Sequence, residues 1–275
     1  MGGVVVITGG AGGMGLATAR IVGRDNDVVL CDVRRERLDA AVQTLTESGG
    51  TATGVHADVT DRAAVDRLLA SVPAPVTAVI HTAGVSPSMG DADHIIRTNA
   101  VGTVNVNEAF YGTADEGAAI VNVASMAAHM LPEEVVPTAC FPSALVDEDA
   151  FVADMLTACS IAPEEARPGL AYAVSKSFVR WYSAAQAERF NGRRLRILSV
   201  SPGSIDTEMG RLEEQAGAGA MVADAAVPRW GKAEEMGELL AFCASPRAGY
   251  LTGTDILSDG GVIASMKERA RVAAL

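Results

Sequence analysis

Lysine is nearly missing from this chain. Only Lys176, Lys232 and Lys267 occur in 275 residues, and 22 basic residues face 34 acidic ones for a net charge of −12. Basic residues are consecutive only at Arg34-Arg35 and Arg193-Arg194, with no aromatics between them. That balance excludes bulk attraction to a phosphate backbone, so no nucleic-acid partner is expected. Cysteine is as sparse: Cys31, Cys140, Cys159 and Cys243 form no CxxC pair and have no histidine at metal spacing. They read as reduced packing thiols, which excludes a disulfide framework and any cysteine metal site. His56, His81, His94 and His129 also lack metal spacing and read as structural or surface residues, so no metal is expected. Met126 and Met130 read as core or pocket packing. No apolar run is long enough to span a membrane. The N-terminus enters Val4–Ile7 without a basic leader, and Val6 stands where acylation at Gly2 would want Ser or Thr. The expectation is a cytoplasmic protein.

Against this background Tyr172-Ala173-Val174-Ser175-Lys176 stands out. Chance places a Lys four residues after one of the four Tyr in roughly 0.04 of chains of this composition. Read as a helix from Leu170 to Phe190, Tyr172 and Lys176 share one face, one turn apart. A free phenol titrates near about 10, and an ammonium within a few Å is expected to lower that value. The pair is thus a candidate general acid/base. A packed Tyr beside a solvated Lys is the bland alternative.

Along the chain, strands alternate with helices. The β-branched run Val4–Ile7 empties into Thr8-Gly9-Gly10-Ala11-Gly12-Gly13-Met14-Gly15 and a helix to Gly23, an order suited to holding a pyrophosphate on free helix N–H groups. The strand Val28–Asp32 ends in a carboxylate 17 residues past Gly15, where a dinucleotide fold binds adenosine ribose hydroxyls. Asp32 favours NAD over NADP; Arg34 and Arg35, opening the helix Arg34–Leu45, are the counter-argument. Further strands are expected at Thr51–Val55, Val76–Thr82, Gly117–Ala124, Arg196–Ser201 and Thr254–Ser258. Helices are expected at Asp61–Ala70 (capped by Thr60), Ala92–Phe110 and Lys232–Ala244. The pattern predicts one α/β domain over residues 1–275, a doubly wound, seven-stranded parallel sheet with helices on both faces. Gly9, Asp32, Gly84, Ser125 and Pro202 then fall at the strands' carboxyl ends, where ligands bind in such sheets.

Two stretches depart from the alternation. Residues 127–168, apolar and acidic, are expected to form a helical insertion, a small subdomain before the Tyr172 helix. Residues 204–228, rich in Gly and Ala, read as a mobile loop over a site.

Taken in order, Thr8-Gly9-xxx-Gly13-x-Gly15, Asp58-Val59, Ala83-Gly84, Asn99, Ser125, Tyr172-xxx-Lys176 and Pro202-Gly203-xxx-Thr207 resemble the short-chain dehydrogenase/reductase family over essentially the whole chain. The resemblance implies that Tyr172 is the catalytic acid/base and that Lys176 lowers its pKa and holds the nicotinamide ribose. Ser125 would hydrogen-bond the substrate oxygen, and Asn99 would anchor a water linking Lys176 to solvent. Pro202, Gly203 and Thr207 would line the nicotinamide carboxamide. Gly9, Gly13, Met14, Gly15, Asp32, Val33, Asp58, Val59, Ala83 and Gly84 would follow the rest of the dinucleotide. His81-Thr82 replaces the family's usual Asn-Asn, which implies the loss of a side-chain bond that stiffens the sheet.

The long insertion after Ser125 and the short segment before Asn99 are similar to the bacterial 3α-hydroxysteroid dehydrogenase/carbonyl reductase type. The implied activity is NAD(H)-dependent interconversion of a secondary alcohol and a ketone on a bulky apolar substrate such as a hydroxysteroid, in a homodimer or homotetramer. The alternative is a dinucleotide-binding sensor that has lost the chemistry.

Overall fold

The computed structural model describes residues 3–73 and 75–274, with the side chains of Gln215 and Ala216 left aside. Gly2, considered above for acylation, lies outside the described residues.

Strand β1 (Val4–Thr8) leads through the glycine turn into α1 (Gly13–Val22), then β2 (Asp27–Asp32), α2 (Arg35–Glu47), β3 (Ala52–His56) and α3 (Arg62–Ala70). Next come β4 (Val76–His81), α4 (Ala92–Ile96), α5 (Gly102–Thr113) and β5 (Ala119–Val123). After the insertion with α6 (Glu148–Cys159) follow α7 (Arg167–Ala185), α8 (Ala187–Asn191) and β6 (Arg196–Pro202). The chain closes with β7 (Ile205–Asp206), α9 (Glu208–Leu212), α10 (Gly219–Asp224), β8 (Gly231–Lys232), α11 (Ala233–Ala244), β9 (Asp255–Ser258) and α12 (Val262–Ala273).

The seven expected strands form one sheet in the order β3-β2-β1-β4-β5-β6-β9, parallel throughout. A parallel sheet needs crossovers, and the crossover helices cover both faces, which is why β1, β5 and β6 are buried along their whole length. On one face α3, α4, α5 and α7 enclose Phe110, Phe178, Tyr182 and Phe190; on the other α1, α2 and α11 enclose Leu30, Leu38 and Leu240. The sheet reverses its winding between β1 and β4, so the loops after these strands diverge and leave a crevice between them.

Four expectations are corrected in detail. The N-cap of α3 is Asp61 rather than Thr60: the Asp61 carboxylate accepts from Ala64 N at 3.1 Å, whereas the Thr60 hydroxyl turns back to Asp58 Oδ1 at 2.8 Å. The helix expected over Ala92–Phe110 is broken by a π-helical turn at Arg97–Val101, which contains Asn99. The insertion does not stand off as a subdomain. Phe141 and Phe151 are wholly buried in the main core, their ring centroids 5.3 and 4.8 Å from that of Phe178 on α7. Its apolar residues therefore brace the helix that carries Tyr172. Residues 204–228, expected as a loop, contain β7, α9, a π turn and α10.

Because Phe151 is core, Phe151→Ala should cost about 3–5 kcal/mol in urea unfolding, with a single transition. A loss under about 1 kcal/mol, or a separate early transition, would show the insertion to be an appendage.

Candidate active site

Helix α7 presents Tyr172 and Lys176 on one face, against the carboxyl end of β5. Lys176 is buried, and its Nζ donates to the Val123 carbonyl at 2.9 Å and lies 5.9 Å from the centre of the Tyr172 ring. Ser125, two residues past β5, lines the same cavity wall as Tyr172, its Oγ accepting from Ala127 N at 3.2 Å. Gly84 closes the back of this group. A Cβ there would stand 3.0 Å from Asn99 Oδ1 and 3.3 Å from Lys176 Nζ, so a side chain would push into the pair.

The electrostatics correct one expectation. Burial raises the Tyr172 phenol, the Ser125 hydroxyl pulls it down, and the Glu213 carboxylate raises it further. The net direction is upward, against the lowering expected of Lys176; desolvation draws that ammonium itself down to about 8, and its Nζ donates to the Val123 carbonyl.

Asn99 sits 1% exposed behind the pair. Its side-chain amide spans two elements: Nδ2 donates to Val85 O at 3.0 Å and to Ser175 Oγ at 3.2 Å, while Oδ1 accepts from Val85 N at 2.9 Å. The π turn is what aims this side chain at the β4 loop and α7 together. The lost bond expected at His81 is in fact replaced. His81 Nδ1 meets Thr8 Oγ1 at 2.7 Å, Nε2 meets Thr103 Oγ1 at 3.2 Å, and Thr103 Oγ1 donates to Asn99 O at 2.7 Å. Since the one Thr103 hydroxyl proton goes to Asn99, Nε2 of His81 must carry the proton and Nδ1 must accept from Thr8. Thr82 adds a second tie, Oγ1 to Thr8 O at 2.7 Å. Burial, reinforced by Lys176, lowers the His81 pKa to about 3 and keeps the ring neutral.

Further polar ties hold α5 and α7 to the sheet. Asn107 and Asn122 exchange amide hydrogen bonds at 2.8 and 3.1 Å, and Asn122 also donates to Ser183 on α7 at 3.1 Å. Asn105 holds the loop after β3 through Val59 O at 3.0 Å.

The crevice runs from the glycine turn to Lys176. Gly9, Gly13, Met14, Gly15, Gly84, Tyr172, Lys176 and Thr207 lie on its wall, joined by Arg34 and Arg37. Gly9 has φ +65°, and a Cβ there would come 2.7 Å from Ala83 N; only glycine lets β1 turn this close to β4. The first-turn N–H groups of α1 have no side-chain cap, which leaves them to a ligand. Asp32, 8% exposed, accepts from Ala11 N at 3.3 Å and Arg34 N at 3.0 Å, so it abuts the same turn from β2. Val33 is exposed beside it, and neither these two residues nor Asp58, Val59 and Ala83 are on the crevice wall. These residues fit the adenosine and pyrophosphate ends of a dinucleotide. Arg35 faces solvent away from the crevice, whereas Arg37, which sequence reading passed over, lines it and pairs with Glu208 across its mouth at 2.5 Å. The spacing of Arg34 and Arg37, three apart on one helix, was the available signal.

Beside Tyr172 and Ser125 opens a second cavity of about 440 Å³, walled by Met126, Met130, Leu131, Met209, Met221 and Trp230. Pro202, Gly203 and Thr207 also line it, and Thr207 lines the crevice as well. Among the described residues no group of three or more His, Cys, Asp or Glu could hold a metal ion, and no helix is long and apolar enough to cross a membrane.

The comparisons agree with this geometry. Residues 3–140 match the family model described as short chain dehydrogenase, and residues 140–263 one described as Enoyl-(Acyl carrier protein) reductase. A short-chain dehydrogenase/reductase of Alternaria brassicicola is 31% identical over 264 residues, covering 93% of this chain and 94% of that protein. Cyclopentanol dehydrogenase of Comamonas testosteroni is 27% identical over 95% of this chain and 97% of its own. A short-chain dehydrogenase from Burkholderia cenocepacia, solved in complex with NADP, superposes with a TM-score of 0.74 at 24% identity, covering 94% of this chain and 96% of that one. The chain belongs to the short-chain dehydrogenase/reductase family, oxidoreductases acting on CH–OH groups with a nicotinamide dinucleotide.

His81 gives this site a pH signature. Its folded pKa, about 3, lies below its ordinary 6.5, so the unfolded chain binds the extra proton first as pH falls. Stability is therefore lost on acidification, by about 2–3 kcal/mol between pH 6.5 and 4.5. In His81→Asn that part of the slope should vanish from urea unfolding followed against pH; an unchanged slope would mean that His81 is not the group responsible.

Proposed function

We propose that this protein is an NAD(H)-dependent oxidoreductase that interconverts a secondary alcohol and a ketone on a bulky, mostly apolar substrate, of which a hydroxysteroid is the model. The observation that carries this reading is the 440 Å³ cavity of methionine, leucine and tryptophan that opens onto Ser125 and Tyr172. A small alcohol would leave most of that volume empty.

In this reading Ser125 donates a hydrogen bond to the substrate oxygen and Tyr172 gives or takes the proton at its Oη. Lys176, fixed at the Val123 carbonyl, lends positive charge beside the phenol and binds the nicotinamide ribose; Asn99 sets the spacing between the β4 loop and α7. When bound, the nicotinamide dinucleotide supplies the acceptor or donor of the hydride. Pro202, Gly203 and Thr207 hold its carboxamide end, and Gly9, Gly13, Met14, Gly15, Val33, Asp58, Val59, Ala83 and Gly84 follow its remaining length. Raised by burial, the phenol suits the acid role, and Ser125 moderates that shift.

NAD is favoured over NADP because the Asp32 carboxylate would repel a 2′-phosphate and both crevice arginines already face carboxylates. Arg34 Nε lies 3.9 Å from Asp32, and Arg37 is engaged by Glu208. We assign the chain as one dinucleotide-binding domain, cytoplasmic and acting as a homodimer or homotetramer. All four cysteines are free, as a reducing compartment requires. Light scattering in solution decides the assembly.

Kinetic and binding measurements test the reading. With a 3-hydroxysteroid, kcat/KM should exceed that for cyclopentanol by at least about tenfold, and Tyr172→Phe should lose about 10²–10⁴-fold in turnover while still binding NADH. Full turnover in Tyr172→Phe, or dinucleotide binding with no alcohol or ketone turned over, would favour the silent sensor instead. NADH should bind at least about tenfold more tightly than NADPH, and Asp32→Ala should narrow that gap; equal wild-type affinities would overturn the assignment of NAD.

A further inference from the structure

The apolar cavity holds one carboxylate that the proposed chemistry does not use. Glu213, between α9 and the following π turn, lines the same wall as Ser125 and Tyr172. Its Oε1 accepts from Ser88 N at 3.0 Å, a bond that reaches across from the β4 side of the cavity. Its neighbours in the chain are neutralised: Arg211 pairs with Asp206 at 2.8 Å and with Glu214 at 3.3 Å. Glu213 itself has no cation partner among the described ion pairs. Two hydroxyls on the same wall are unmet, since buried Ser86 Oγ and Ser204 Oγ have no hydrogen-bond partner. Buried polar atoms are ordinarily satisfied, so two idle hydroxyls beside a half-buried carboxylate that has one backbone donor and no cation point to a ligand group that completes them. A carboxylate can only accept, which fixes the polarity of that group.

We propose that Glu213 selects substrates whose apolar body carries a hydrogen-bond donor, a hydroxyl or an ammonium, close to the reactive carbon, and rejects those carrying a carboxylate there. The inference rests on the alcohol–ketone reading and adds the substrate class. Glu213 and the phenol line the same cavity, and the carboxylate's charge raises the phenol's pKa, so a group bound to the carboxylate shares the chamber with the carbon being oxidised. An added anion at that position meets like charge in a poorly solvated chamber, whereas an ammonium gains a charge-assisted hydrogen bond.

The test uses three alcohols with the whole enzyme and NAD: cyclohexanol, trans-1,2-cyclohexanediol and trans-2-aminocyclohexanol. The wild type should show kcat/KM at least about tenfold higher for a donor-bearing alcohol than for cyclohexanol, and Glu213→Gln should bring that ratio to within about twofold of one. The diol and the amine separate a neutral donor from a cationic one. A role for Glu213 only in holding the cavity closed through Ser88 would lower all three rates together and leave the ratio unchanged, which overturns the inference. Should Glu213→Gln fold poorly, inhibition of the wild type serves: cyclohexylamine should compete at least about tenfold more tightly than cyclohexanecarboxylate, and the reverse order overturns it. Turnover of cyclohexanol with no donor preference sinks this inference and leaves the parent reading standing; turnover of no alcohol or ketone at all sinks both.

Discussion

A buried ammonium holds this site together. Lys176 lies 5% exposed with its Nζ on the Val123 carbonyl, and an ammonium taken out of water is tolerated only where hydrogen-bond acceptors are ready for it. That single contact ties α7 to the carboxyl end of β5. It sets Tyr172, one turn earlier on the same helix, opposite Ser125, which leaves β5 two residues later. The cost of burial is visible in the Lys176 pKa, drawn down to about 8. Desolvation pushes phenol and ammonium alike toward their neutral forms, yet a value of about 8 leaves Lys176 charged at neutral pH, and the Val123 carbonyl meets that charge.

The surrounding polar groups keep that contact in register. Asn99, on the π turn, spans Val85 and Ser175, while the Asn107–Asn122–Ser183 ladder joins α5, β5 and α7 deep in the core. Each member of these two groups is satisfied, the condition under which buried polar networks specify one arrangement instead of loosening it. His81 extends the same logic to β1. Where relatives of this family usually carry Asn, a neutral imidazole held in one tautomer links Thr8 to the Asn99 carbonyl through Thr103. The stiffening is kept with different chemistry.

Acidity and apolarity divide the ligand space. The crevice beside Asp32 is built of glycines and uncapped amides, with its arginines already paired; the neighbouring cavity is built of methionines, Leu131 and Trp230 with Glu213 in its wall. Phe141 and Phe151 of the insertion pack on Phe178 and so brace α7 from behind, while Met130 and Leu131 of the same insertion line the cavity.

Much of this was legible in the residues. Strand and helix alternation, the glycine turn after β1, the carboxylate ending β2 and the Tyr172–Lys176 spacing are local signals, set by backbone sterics and by the 3.6-residue period. Contacts between segments distant in sequence were not legible, because pairing energy depends on partners that no spacing reveals. The π turn at Asn99, the replacement of a lost bond by His81, the fusion of residues 127–168 into the core and the strap between Arg37 and Glu208 all belong to this second kind. So does the phenol's upward shift: the four-residue spacing placed Lys176 near Tyr172, but burial, which only the folded chain creates, decided the direction of its pKa.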